Sequence, residues 1–408
     1  MAQKISFQKN LMKEDSNYLE QASVFSHEAA RKAGRFQSTH PLYAQTPLVS
    51  LQHLANHIGV KHLFVKDESY RFGLNAFKVL GGIYAIGSYL AKRLNRDIET
   101  LSFEELKSEA VKEELGEITF ISATDGNHGK GVAWAARELG HRAVIYLPKG
   151  ASEHREQAIV DEGAIVEVTK FNYDESVRLA AQTAFEKDWV VLQDTSWEGY
   201  EEIPEWIIQG YATLASEAVQ QIKEHTEKAP THVFLQAGVG SFAASVAAYF
   251  LHAFKEKPPK IILVEPHEAN CYYRSFVSNE EIYEIVYGEM DTIMAGLACG
   301  EPNPAAWEFL RRYTDVSFSC DESIAAVGMR ILGHPLDEDQ RIIAGESGAV
   351  TAGLVYCLAT DEALHEAKTA LDLDENASII VVNTEGNTNP DNYRNIVWEG
   401  AFAYQAEK

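Results

Sequence analysis

Over most of this chain, short uninterrupted apolar runs alternate with longer segments whose apolar residues recur at helical spacing. Leu48, Leu51, Leu54, Ala55 and Ile58 fall on one helix face, and Gly59 supplies the stop. Residues 62–65 (HLFV) read as a buried strand. The segment after them predicts a helix with Asn75 as N-cap and Ala76, Phe77 and Lys78 in its first turn. Ser102 and Glu105 make a capping-box pattern for a surface helix running to residue 115. Beyond it, strands at 118–122, 142–147, 164–168 and 189–193 alternate with helices at 129–139, 152–161 and 174–187. A helical segment at 204–225 precedes three β-branched strands at 232–236, 260–265 and 378–383. Strands separated by helix-length connections require crossovers, so the pattern predicts an α/β fold with two mostly parallel, twisted sheets flanked by helices. Residues 1–40 are polar and weakly patterned, which predicts an extended arm with short helices. A small α/β domain is expected at 90–200, inserted in a larger domain made of 1–89 and 201–408.

Composition narrows the class. With 408 residues, 46% hydrophobic and 24% charged, the chain can build two ordinary globular cores. A net charge of -24 argues against nucleic acid as a partner, because phosphates are repelled rather than neutralised. No stretch approaches the ~20 apolar residues that span a bilayer. Residues 1–20 lack the apolar core of a secretory signal, so the expectation is a cytoplasmic protein with no membrane partner. Cys271, Cys299, Cys320 and Cys357 show neither CxxC nor zinc-ligand spacing. No metal site is expected, and buried reduced thiols are the default, with a Cys271–Cys299 bridge left open.

Candidate chemistry gathers where apolar strands end. Lys78 is flanked by Phe77, Val79 and Leu80. Apolar burial disfavours an ammonium and makes such an amine a candidate Schiff-base nucleophile; the competing reading is a helix lysine that snorkels to water. The loop 122–129 (SATDGNHG) follows one strand and opens a helix. It offers backbone N–H groups, the Thr124 hydroxyl, the Asp125 carboxylate and the Asn127 amide in one turn. Gly238, Val239, Gly240 and Ser241 lie between a strand and a helix, a phosphate-binding arrangement. The same loop fits G-x-G-x-x-A, with Glu265 ending the next strand as a possible ribose-binding acid, which keeps a dinucleotide-dependent oxidoreductase open. Thr384 follows the strand 378–383, placed to meet a ring nitrogen or to close a local turn.

These elements, in this order, resemble the fold type II pyridoxal-phosphate enzymes, the group of threonine dehydratase, serine racemase and the tryptophan synthase β subunit. The resemblance runs from Thr46-Pro47-Leu48 to Asn387. It implies pyridoxal 5'-phosphate as cofactor, joined to Lys78 of Ala76-Phe77-Lys78. Asn127 of the 124–128 loop would face the 3-hydroxyl, Gly238, Val239, Gly240 and Ser241 would cradle the phosphate, and Thr384 would face the pyridine nitrogen. Within the group, GLNAFK, SATDGNHGKGVAWAA, QDTSWEGYEEIP, QAGVGSFAAS and TIMAGLACGEPNP are similar to members that eliminate ammonia from 2,3-diaminopropionate. The likeness implies a carbon–nitrogen lyase acting on a small amino acid, both D- and L-isomers, and a homodimer. Lys78, Asp125 and Asp194 are the catalytic candidates; Thr124, Asp125 and Asp194 are the substrate-binding ones. An amine leaves well only as the ammonium, so a nearby acid must hold or supply that proton. Asp194 could instead cap the turn at 197–199, and His128 is read as a loop histidine satisfied by backbone rather than a proton carrier. Glu346 in GESGAV lies near a family site position and is given no role. A serine or threonine dehydratase-type lyase is the alternative within the group, but Asp125 stands where those enzymes carry a small residue and Thr124 where they carry serine. A non-catalytic domain that binds an amino acid without turnover is the third reading.

Overall fold

The structure is a computed structural model that describes residues 4–14, 23–124, 126–226 and 228–405. Its strands are β1 (Ile5–Lys9), β2 (Leu48–Ser50), β3 (His62–Asp67), β4 (Thr119–Ala123), β5 (Arg142–Leu147), β6 (Ile165–Val168), β7 (Val190–Val191), β8 (His232–Gln236), β9 (Lys260–Pro266), β10 (Val316–Cys320) and β11 (Ser378–Asn383). They form a seven-stranded sheet ordered β1-β10-β9-β8-β11-β3-β2 and a four-stranded sheet ordered β6-β5-β4-β7. The predicted α/β architecture with two sheets is therefore present.

The chain makes two compact units. One comprises Met1–Gln21, Thr46–Tyr70 and Leu214–Lys408, and holds the seven-stranded sheet. Its interior pairs are all parallel, and only the outer strands β1 and β2 run antiparallel to their neighbours. The interior strands are covered on both faces, so they read as unbroken apolar runs: every residue of β8, β10 and β11 is buried.

The other unit comprises Ala22–Gln45 and Arg71–Thr213, and holds the four-stranded, all-parallel sheet. Besides the 90–200 segment it takes in residues 22–45, 71–89 and 201–213. A buried amide helps to join them: Gln37 Nε2 donates to Leu80 O at 2.8 Å and to Gly210 O at 3.1 Å. Helix Asn127–Glu138 lies so close to the start of helix Val79–Arg93 that a Cβ on Gly131 would stand 2.8 Å from Val79 Cα. That approach fixes the backbone beside Lys78.

Several local expectations give way to packing. Within the expected extended arm, residues 5–9 form a strand: their alternation of Ile5 and Phe7 with polar residues pairs them against β10, with Phe7 stacked on Phe318. A helix, His27–Ser38, follows, capped by Ser26. Leu48 does not start a helix but lies in β2, paired with Lys66 of β3; the helix is Gln52–His57. The Ser102–Glu105 capping box forms, yet its helix ends at Leu106, and Ser108 caps a second one, Glu109–Leu115. A serine competes with the helix for backbone groups, which splits the single helix expected there.

Candidate active site

Lys78 does not sit inside the first helical turn. Asn75 is in the left-handed region at φ 65°, so it turns the chain instead of capping it, and Lys78 itself occupies the N-cap position of helix Val79–Arg93. Its amine also has a charged partner, contrary to the purely apolar setting read from Phe77, Val79 and Leu80: Nζ donates to Asp194 Oδ2 at 3.1 Å.

Asp194 lies just past β7, next to the carboxyl end of β4, because Leu192 N continues the pairing to Ile121 O. It is 3% exposed. Its Oδ1 accepts from Tyr173 Oη at 3.1 Å and from Gln193 Nε2 at 3.3 Å. Burial alone would raise its pKa, but the Lys78 charge, then His128 and the hydrogen bonds from Lys78 and Tyr173, hold it well below the usual carboxylate range. Asp194 is thus an ionised counter-ion to the lysine.

The 122–129 loop runs beside it. Thr124, buried, accepts from Gly126 N at 3.0 Å and from Gly129 N at 3.2 Å, which folds the loop onto the start of its helix. Asn127 is the half-buried first residue of that helix. His128 Nε2 bonds Leu192 O at 2.9 Å, in line with a backbone-satisfied histidine. Asp125 lies outside the described residues. The structure therefore brings together Lys78 and Asp194, with Thr124 just past the adjoining strand β4 and Asn127 at the start of the helix that follows.

In the other unit, Gly238, Val239, Gly240 and Ser241 lead from the end of β8 into helix Ser241–Ala253. Gly240 has φ 92°, and a Cβ there would overlap the Tyr272 hydroxyl oxygen. Tyr272 Oη donates to Val239 O at 2.9 Å, and Asn303 Nδ2 donates to Ser241 Oγ at 3.0 Å. The loop is a glycine-rich cradle braced by Tyr272 and Asn303. Thr384, 4% exposed, follows the neighbouring strand β11. Gln236 Nε2, oriented by Ser347 O and Val382 O at 3.0 Å each, also meets Thr384 Oγ1 at 3.0 Å. An amide N–H₂ group has two hydrogens for these three acceptors and cannot itself accept, so the Thr384 hydroxyl does not spend its own proton on it.

Both oxygens of Glu265 are engaged inside the fold, away from any exposed ribose. It is wholly buried, and it accepts from Tyr272 N at 2.9 Å and Tyr273 N at 2.7 Å at the start of helix Cys271–Ser278. The G-x-G-x-x-A match therefore lacks its acid, and the dinucleotide reading loses its support. All four cysteines are buried thiols, so the open Cys271–Cys299 bridge does not form. Glu346 is buried and accepts from Asn392 Nδ2 at 2.5 Å. Among the described residues no cluster of three His, Cys, Asp or Glu is suited to a metal ion, and no helix is long and apolar enough to cross a membrane.

Tyr173, Gln193, Gln236, Tyr272 and Asn303 escaped the sequence reading. Gln193 and Gln236 carried a readable signal, since each ends an apolar run and a buried amide must find partners.

Residues 39–385 match the family described as pyridoxal-phosphate dependent enzyme. The chain is 49% identical to diaminopropionate ammonia-lyase of Salmonella typhimurium over 93% of its length and 95% of the relative's. Among solved structures it is similar to the Escherichia coli diaminopropionate ammonia-lyase in complex with D-serine, with a TM-score of 0.91 and 47% identity over 98% of both chains. The same E. coli enzyme in complex with an aminoacrylate-PLP azomethine reaction intermediate gives a TM-score of 0.89, again with 47% identity over 98% of both chains. A lysine at a helix start beside an ionised carboxylate, a glycine-rich anion cradle and matches of this extent agree on one assignment: the chain belongs to the fold type II pyridoxal-phosphate dependent enzymes and, among them, to the diaminopropionate ammonia-lyase family.

Proposed function

We propose that this enzyme catalyses the α,β-elimination of 2,3-diaminopropionate, in both D- and L-forms, to pyruvate and two molecules of ammonia. The observation that carries the reading is the Lys78–Asp194 pair, an amine beside a carboxylate held ionised. The residues fit pyridoxal phosphate: a Cβ would spoil the cradle at Gly240, and the buried Thr384 hydroxyl has a proton to give a ring nitrogen. Lys78 would hold the aldehyde carbon, Asn127 the 3-hydroxyl, Gly238, Val239, Gly240 and Ser241 the phosphate, and Thr384 the pyridine nitrogen. When bound, the cofactor supplies the electron sink that acidifies the substrate's α-proton.

Lys78, its amine free once substrate has bound, accepts the α-proton at Nζ from one face. Asp125, assigned through the family resemblance, serves the opposite face and so admits the other isomer. Asp194 Oδ2 holds the β-ammonium, and Thr124 lies on the loop that would line the substrate. The Cα–H and Cβ–N bonds break and the β-nitrogen leaves as ammonia. The released 2-aminoacrylate then takes up water to give pyruvate and the second ammonia. A cytoplasmic homodimer, as is usual in the family, completes the reading.

The purified protein should be yellow, lose its visible band on borohydride treatment, and release pyruvate from D- and L-diaminopropionate. Lys78→Ala should lose at least about 100-fold in rate. A colourless Lys78→Ala protein that makes pyruvate at the parental rate would remove the reading.

A further inference from the structure

Gln193 is fully buried, and its one amide is tied at both ends. Oε1 accepts from Ala123 N and from Ser122 Oγ, each at 3.0 Å. A backbone N–H can only donate, so the carbonyl end of the amide must face β4 and the N–H₂ end must face the other way. There Nε2 donates to Tyr173 Oη at 2.9 Å and to Asp194 Oδ1 at 3.3 Å. Because Tyr173 Oη accepts from the amide, its own proton goes to Asp194 Oδ1, at 3.1 Å. Both donors converge on one carboxylate oxygen, and Oδ2 is the oxygen that meets Lys78.

The backbone carrying this amide is held as firmly. Gln193 N donates to Tyr200 Oη at 2.8 Å, and Tyr200 Oη donates to Val191 O at 3.0 Å. His128 bonds the carbonyl of Leu192 just before it. Such redundancy is more than a surface turn needs, and it fixes the direction of every proton up to Asp194.

We propose that Gln193, acting through Tyr173, is a positioning residue that dedicates Asp194 to the leaving amino group. It directs two donors onto Oδ1 and leaves Oδ2 for a cation. The proposal rests on the reading of Asp194 given under Proposed function. Its chemical content is that the carboxylate stays ionised even when the Lys78 charge is engaged elsewhere. The groups facing Asp194 among the described residues are Lys78, His128, Tyr173 and Tyr200; Gln193 adds no charge of its own but fixes which way the Tyr173 dipole points.

The test uses Gln193→Glu in the holoenzyme. The new carboxylate can still accept from Ser122 and Ala123, but it cannot donate to Tyr173. Tyr173 then turns its proton to the new acid, and Asp194 loses both donors while gaining a like charge. Two substrates separate the roles: 2,3-diaminopropionate, whose leaving group must be an ammonium, and 3-chloroalanine, whose chloride leaves as an anion. The kcat/KM ratio of the first to the second should fall about tenfold, and the acid limb for diaminopropionate should move up by about one pH unit or more. Tyr173→Phe, which removes one donor and adds no charge, should move the ratio the same way by a smaller factor. The visible cofactor band reports that each variant is loaded. Equal losses on both substrates, or an unchanged ratio in both variants, overturn the proposal. Asp194→Asn keeps the two ideas apart. If it too leaves the ratio unchanged, the reading of Asp194 as counter-ion falls. If it lowers the ratio while Gln193→Glu and Tyr173→Phe do not, the role of Gln193 alone falls.

Discussion

Gly240 runs at φ 92° in front of the Tyr272 hydroxyl, and two separate costs meet at that one residue. A side chain in the left-handed region loses about 1–2 kcal/mol, and the added carbon must also displace a tyrosine that holds Val239. Gly240→Ala should therefore bind pyridoxal phosphate at least about tenfold more weakly, read by titrating the apoprotein and following the visible band. At Thr384 the loss is of a single donor, and Thr384→Val should release the cofactor faster on dialysis while remaining folded. Glycines, a lone hydroxyl and Lys78 were legible in the sequence because residue type alone restricts what such positions can do. The amide relays were not. Gln193 and Gln236 act through the direction of their protons, which depends on neighbours 70 and 111 positions away in the chain.

Among the elements, the pairing of helices Val79–Arg93 and Asn127–Glu138 bears most directly on the chemistry. The three atoms nearest a Cβ on Gly131 would all be backbone: Val79 Cα at 2.8 Å, Val79 N at 2.9 Å and Lys78 C at 3.3 Å. No rotamer change relieves that, so the helices must part. Gly131→Ala should cost about 1–3 kcal/mol in urea unfolding and depress kcat by displacing Lys78, where a surface Gly→Ala change would do neither. Strands and long helices were readable because their periods are local: residues 142–147, 232–236 and 378–383 form strands at those very limits. Helix starts were harder. Asn75 looks like a cap by type but reverses the chain, and Ser108 breaks a helix that periodicity alone would continue. Strand β1 was hidden because five residues of alternation in a polar segment carry little signal until β10 is there to pair with them.

For the molecule as a whole, the buried Glu265 and the half-buried Glu322 set a slope of stability against pH. Burial pushes Glu265 up to about 8 and Glu322 up to about 7, against the partial opposition of their hydrogen bonds. Both values lie above the unfolded one, so the folded state binds the extra protons between about pH 4.5 and those values. Their contribution is complete below the unfolded pKa and is lost as pH rises through the folded one. Growing negative charge on a chain already at -24 works in the same direction. His40, His62, His141 and His232, whose pKa values burial lowers, give the opposite slope below about pH 6.5. The melting temperature should therefore fall between about pH 6.5 and about pH 8. Glu265→Gln should flatten that decline while lowering the acid-side value, since one backbone N–H then loses its acceptor.

Strand β11 lies between β8 and β3 in the larger sheet, and Asn383 on it donates to Asp67, 316 positions earlier. During synthesis, then, the strand that joins β8 to β3 stays missing until residues 378–383 have been made. The four-stranded sheet, continuous from Thr119 to Val191, can form on the ribosome long before. A message cut short ahead of Ser378 would leave β3 and β8 each with an unpaired inner margin, a template for aggregation, while releasing a smaller sheet that is already complete.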